Sequence, residues 1–133
     1  MVNFGYSKKT NLGFNDAVTR VRAELSKEGF GVITEINVKD TLKKKLDINF
    51  NNYLILGACN PSFAHRALLA EIEIGLMLPC NIIVYENNGD VIISSILPSI
   101  AMNMIDNNEL KDIANQVEKK LRNVIEGCIY ERI

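Results

Sequence analysis

The dipeptide Asn88-Gly89, set between apolar runs at residues 80–85 and 91–97, restricts the fold of this chain more than any other feature. Asn and Gly tolerate the positive φ angles that both central positions of a tight hairpin turn require. The two flanking runs are therefore expected to be strands paired antiparallel. A doubly wound sheet, whose parallel strands alternate strictly with helices, is incompatible with that turn.

The remaining pattern fills in the other elements. Residues 2–9 alternate in part (Val2, Phe4, Tyr6) and read as a first strand. Asn11 is placed to cap a helix whose apolar positions Phe14, Ala17, Val18, Val21 and Leu25 recur at helical spacing, and Gly29 is placed to end it. A β-rich run at 30–38 follows, then one or two helical turns at 40–46 and a strand at 53–58. Pro61 suits the first position of a helix with Asn60 as its N-cap. That helix is expected to reach about residue 73, to end at Gly75, and to bury Phe63, Ala64, Ala67, Leu68 and Ile72. The last helix, capped by Asp106 or Asn107 and closed by Gly127, carries the stripe Leu110, Ile113, Ala114, Val117, Leu121, Val124 and Ile125. The order β, α, β, short α, β, α, β, β, α predicts an α+β fold: two layers, a mixed and mostly antiparallel sheet, and helices packed on one face. With 133 residues, 47% of them hydrophobic, and no internal repeat or linker, residues 1–133 are expected to form a single domain.

Charge and cysteine content narrow the function. Fifteen Lys and Arg against sixteen Asp and Glu leave a formal charge of -1, so nucleic acid is not an expected partner. The run Lys43-Lys44-Lys45 lies beside Asp40 and Asp47 and reads as a solvated face. The most hydrophobic segment, 74–85, is interrupted by Gly75, Pro79 and Asn81 and falls short of the roughly 20 residues needed to cross a bilayer. No membrane partner is expected. Residues 1–11 lack the apolar stretch of a signal peptide, so a cytoplasmic location with reduced thiols is the expectation.

Candidate chemistry gathers around two Cys-Asn pairs. Cys59 sits between a strand and a helix N-terminus, where amide dipoles favour an anion and lower a thiol pKa. Cys80-Asn81 opens another strand, and if the two strands are neighbours the thiols approach each other. His65, the single histidine, is on the border of the helix apolar face, and Glu71 projects near the middle of that face. Each has a plainer reading: cysteine serves as a small core hydrophobe, an imidazole packs or caps, and Asn60 and Asn81 cap or close element ends. Cys128, in the tail, is left out. Zinc is weakly supported, since no CxxC, HxH or HExxH spacing occurs, and no metal site is assigned. No cofactor is expected either, as neither a Walker loop nor GxGxxG is present.

Several segments together resemble one family. These are residues 34–39 with Thr41-Leu42-Lys43, residues 53–61 ending in Gly57-Ala58-Cys59-Asn60-Pro61, Ala64-His65-Arg66-Ala67-Leu68, Glu71, and residues 75–81 ending in Leu78-Pro79-Cys80-Asn81. They look like the domain of unknown function 302 family, nearly end to end. The resemblance implies a compact α+β domain that forms homodimers and has no established activity. Glu35, Lys39, His65, Glu71 and both Cys-Asn pairs match the family's motif positions. Asn37 departs, since the family more often carries an acidic residue there.

Three functions follow as expectations. The first is a homodimeric module binding a small molecule at a Cys/His/Glu pocket, with Cys59, His65 and Glu71 as site candidates and Glu35, Lys39, Asn60, Cys80 and Asn81 as ligand-binding candidates. The second is thiol-dependent sulfur or redox chemistry using Cys59 with His65. Metal binding through Cys59, Cys80 and His65 is third.

Overall fold

A computed structural model describes residues 2–129. Its centre is a five-stranded sheet of β1 (Gly5–Thr10), β2 (Gly31–Asn37), β3 (Tyr53–Cys59), β4 (Cys80–Asn87) and β5 (Asp90–Ile96), in the order β1-β5-β4-β3-β2. The β4–β5 hairpin turns at Asn88 and Gly89 with φ of 53° and 84°, the positive angles for which those residue types are suited. All four ladders are antiparallel. The α+β class holds, while the parallel pair implied by a mixed sheet does not occur among the described strands. The reason lies in the connections: α1 (Phe14–Lys27) carries the chain from one edge strand to the other, and each later strand then pairs antiparallel with its predecessor.

Helix α1 and α5 (Asn108–Gly127) pack on one face of the sheet and on each other, and α3 (Pro61–Ala70) packs against α5. The stripe of α5 is buried as its spacing requires, from Leu110 to Ile125. It meets Leu54, Leu56 and Ala58 of β3, Ile82 and Val84 of β4, and Ile93 of β5 in one core. Six of the α5 side chains are Leu, Ile or Val, worth roughly 1.5 to 3 kcal/mol each when buried, which makes α5 the largest contributor to the helix layer.

Several boundaries differ from the sequence reading. Helix α1 has Gly13, not Asn11, at its N-cap, with no side-chain cap bond. Gly29 does close it, at φ 84°. Helix α2 (Val38–Leu46) is longer than one or two turns because the Asn37 side chain accepts from the Asp40 amide and begins it earlier. Helix α3 stops at Ala70, short of residue 73. Glu71 leaves helical geometry at φ −155°, and Ile72–Met77 continue as a 3-10 helix. A further short helix, α4 (Pro98–Ala101), begins at Pro98. Asn107 is the cap of α5, accepting from the Leu110 amide at 3.1 Å.

Candidate functional site

The corner between β3 and α3 follows from three residues. Gly57 is required by close approach: a Cβ there would lie 2.0 Å from the Thr34 hydroxyl oxygen and 2.7 Å from Pro79. Cys59 ends the strand, and Asn60 holds extended backbone before Pro61 starts the helix. The Asn60 side chain does not cap α3. Its Nδ2 instead donates to the Glu28 carbonyl at 3.3 Å, tying this corner to the turn between α1 and β2. In the ladder Cys80 lies opposite Ala58, so Cys59 is one residue beyond the cross-strand partner of Cys80. A cis peptide joins Leu78 to Pro79 just before it.

These elements enclose a cavity of about 310 Å³ between the end of the sheet and the helix layer. Ala58, Cys59 and Cys80 form its sheet side, and Phe63, Ala64, Ala67 and Leu68 of α3 form a second wall. Ile113, Ala114 and Val117 of α5 close it behind, with Pro98 and Met102 beside them. Ile33, which the register shift in β2 inserts between Val32 and Thr34, is 62% exposed and lines the cavity on the remaining side. Among the described residues, no charged side chain lines it, and Asn60 supplies the one side-chain amide. Burial pushes the Cys80 thiol up to about 11, with a further rise from neighbouring Cys59. Cys80 is therefore a neutral thiol at neutral pH.

The structure brings together Cys59, Asn60 and Cys80 from the sequence-stated set. His65 is exposed on α3 and does not line the cavity. Glu71 does not project from the middle of a helical apolar face. It caps the 3-10 helix, its carboxylate accepting from the Glu73 amide at 3.0 Å. Asn81 is exposed and contributes to two other concavities, of about 280 and 520 Å³. Glu35 pairs with Arg22 of α1, and Lys39 is exposed in the first turn of α2. Cys128 caps α5, its thiol donating to the Val124 carbonyl at 3.2 Å, outside this cavity. All three cysteines are free. Among the described residues, no group of three or more His, Cys, Asp and Glu side chains is placed to hold a metal ion, and no helix is long and apolar enough to cross a membrane.

Sequence reasoning missed Ile33, Pro98 and Met102. The proline after Leu97 carries the same helix-start signal as Pro61 and marks the missing wall, whereas the irregularity at Ile33 has no signature in the sequence.

Comparison with known proteins gives one consistent result. No curated protein matches the chain. Its structure is similar to the crystal structure of an uncharacterized conserved DUF302 protein from Bacillus stearothermophilus, with a TM-score of 0.90 and 33% identity over 96% of this chain and 99% of that one. The model of the domain of unknown function DUF302 matches residues 6–128. With that match spanning β1 to the end of α5, the chain belongs to the DUF302 family.

Proposed function

We propose that this protein is a homodimeric binding module that takes an uncharged, mainly apolar small molecule into the cavity at Cys59 and Cys80. The observation that carries the reading is the lining: thiols, aliphatic and aromatic side chains and one amide, with no ionised group. Its volume lies at the lower end of the roughly 300 to 1,000 Å³ typical of small-molecule sites. A charged ligand would lose its hydration there without gaining a counter-ion. His65 is exposed away from the cavity, so the reading is binding and not thiol catalysis with a histidine base.

Support for the homodimer comes from the sheet face opposite α1 and α5. Ile36, Ile55 and Ile83 form one row across it, next to the stacked pair Tyr53 and Tyr85, whose ring centroids are 5.4 Å apart. At about 4.8 Å per strand and 3.3 Å per residue the face measures roughly 24 by 22 Å. Two copies would then bury about 1,000 Å², the size at which specific interfaces begin.

Titration with the uncharged dye Nile red tests the ligand reading. Saturable one-to-one binding is expected, and Ala64→Trp, which fills the cavity, should abolish it while leaving the circular dichroism spectrum unchanged. Undiminished binding by a folded Ala64→Trp variant would overturn it. Sedimentation equilibrium tests the dimer: the wild type should be dimeric and Ile83→Asp monomeric, and a monomeric wild type would sink the proposal.

A further inference from the structure

We propose that the surface formed by the 3-10 helix, α4 and the turn at 102–107 is a docking site for a basic amphipathic helix of a second protein. Leu69, Ile72, Leu76 and Met104 are 74% to 86% exposed, the highest values for large apolar side chains among the described residues, and Ile100 of α4 is exposed as well. The elements that carry them adjoin. Asn107 Nδ2 donates to the Ala70 carbonyl at 3.1 Å, which holds the turn against the end of α3. Leu76 and Met77 line, with Ala101 and Met102, the concavity of about 280 Å³. Apolar side chains exposed together in this way mark an interaction surface, whereas singly scattered ones do not.

Charge selects the partner. Residues 67–110 contain six carboxylates and no Lys, Arg or His. Three of the carboxylates, Glu73, Asp106 and Glu109, are exposed on the 3-10 helix, the turn and the first turn of α5, and no ion pair occupies them among the described residues. An amphipathic helix whose apolar stripe is flanked by Lys or Arg complements both features at once. Met77, Met102 and Met104 are all the methionines after Met1. Their unbranched, polarizable side chains let such a surface adjust to an inserted apolar residue. A bilayer fits less well, because an anionic headgroup layer repels the carboxylates and this segment has no Lys or Arg to anchor it. A second copy set symmetrically on the same surface would oppose carboxylate to carboxylate. The surface includes neither Cys59 nor the row of Ile36, Ile55 and Ile83, so the inference stands apart from the cavity ligand and from the sheet-face dimer.

Fluorescence anisotropy tests it with a dye-labelled peptide of about 14 residues, Leu and Lys in amphipathic order over about four helical turns. Titration with the full chain should show saturable one-to-one binding that weakens about tenfold between about 0.05 and about 0.5 M salt. Leu76→Ser and Glu73→Lys should each weaken it by about tenfold. The charge-matched Asp16→Lys should leave it unchanged, because Asp16 follows β1 at the end of the sheet where Thr10 pairs with Val91, away from the Cys80 and Ile96 end that the 3-10 helix and α4 adjoin. Absence of saturable binding, equal binding of the corresponding Leu and Glu peptide, or undiminished binding by both Leu76→Ser and Glu73→Lys would each overturn the site. Adhesion to phosphatidylcholine vesicles that requires Leu76, without peptide binding, would overturn it in favour of a lipid surface. Self-association that Leu76→Ser abolishes, again without peptide binding, would overturn it in favour of a second copy.

Discussion

On β3 and β4, Leu54, Leu56, Ile82 and Val84 are at most 7% exposed beneath the helices, while Tyr53, Ile55, Ile83 and Tyr85, one residue along, stay half-buried on the opposite face. A two-layer sheet with one face in water ordinarily alternates apolar inward with polar outward. Here both registers of the central strands are apolar, as in a strand covered on both sides, yet α1 and α5 cover only one. Folding of the chain needs the first face. The apolar character of the second is surplus to that need, and supports an intermolecular use.

Substitutions at adjacent residues give the sharpest test of this contrast. Ile82→Ala, which opens a cavity under the helices, should cost about 3 kcal/mol, and Ile83→Ala on the other face less than about 1 kcal/mol when both are measured by urea unfolding at protein concentrations where no dimer forms. Equal losses would break the distinction between the faces.

Alkaline pH probes the covered face through its thiol. The folded Cys80 pKa is raised to about 11 from an ordinary 9, so the folded state holds the proton more tightly than the unfolded one. The associated stability is fully present below pH 9 and is lost as pH rises through about 11, at up to roughly 3 kcal/mol. Cys128, pushed up to about 12 by burial and then by Glu24, adds to the same slope. Cys80→Ala should therefore reduce the fall in urea midpoint above pH 9 without removing it. A wild-type midpoint unchanged over that range would mean that the helix layer does not desolvate the thiol.

Two smaller effects refine the comparison. Gly57→Ala would drive a methyl group into Thr34 and Pro79, and a loss of about 2 kcal/mol in thermal unfolding is expected. A neutral substitution would show that the face opposite α1 and α5 is loose enough to shift at that point. Asn107→Ala should cost about 1 kcal/mol, because Asn107 caps α5 and its Nδ2 donates to the Ala70 carbonyl at the end of α3. Hydrogen exchange should quicken in the first turn of α5 and at the end of α3, and leave β1 unaffected.

Particular residues mark how far the sequence could be read. Asn88-Gly89 specified its hairpin because a two-residue turn is decided by the φ preferences of those residues alone. The α5 stripe was legible for a similar reason: twenty residues of consistent period leave one face to bury. Glu71 was misplaced because helical projection assumes that the helix continues, and α3 ends at Ala70. His65, on the border of the apolar stripe, is exposed, since α3 packs mainly through Ala67 and its neighbours. The cysteines were legible as a pair of element ends, but their shared cavity depends on β3 and β4 being adjacent.

The local elements, the hairpin, the Asn60-Pro61 corner and the core side of α5 were determined by the sequence itself, because each rests on interactions spanning only a few residues or on one repeating period. Tertiary structure decided the wholly antiparallel strand order, the face that α1 and α5 cover, and the cavity that residues of β3, β4, α3 and α5 line together. Those outcomes depend on contacts between segments tens of residues apart. Packing resolves them by choosing which of two apolar sheet faces the helices cover, a choice that no local pattern encodes.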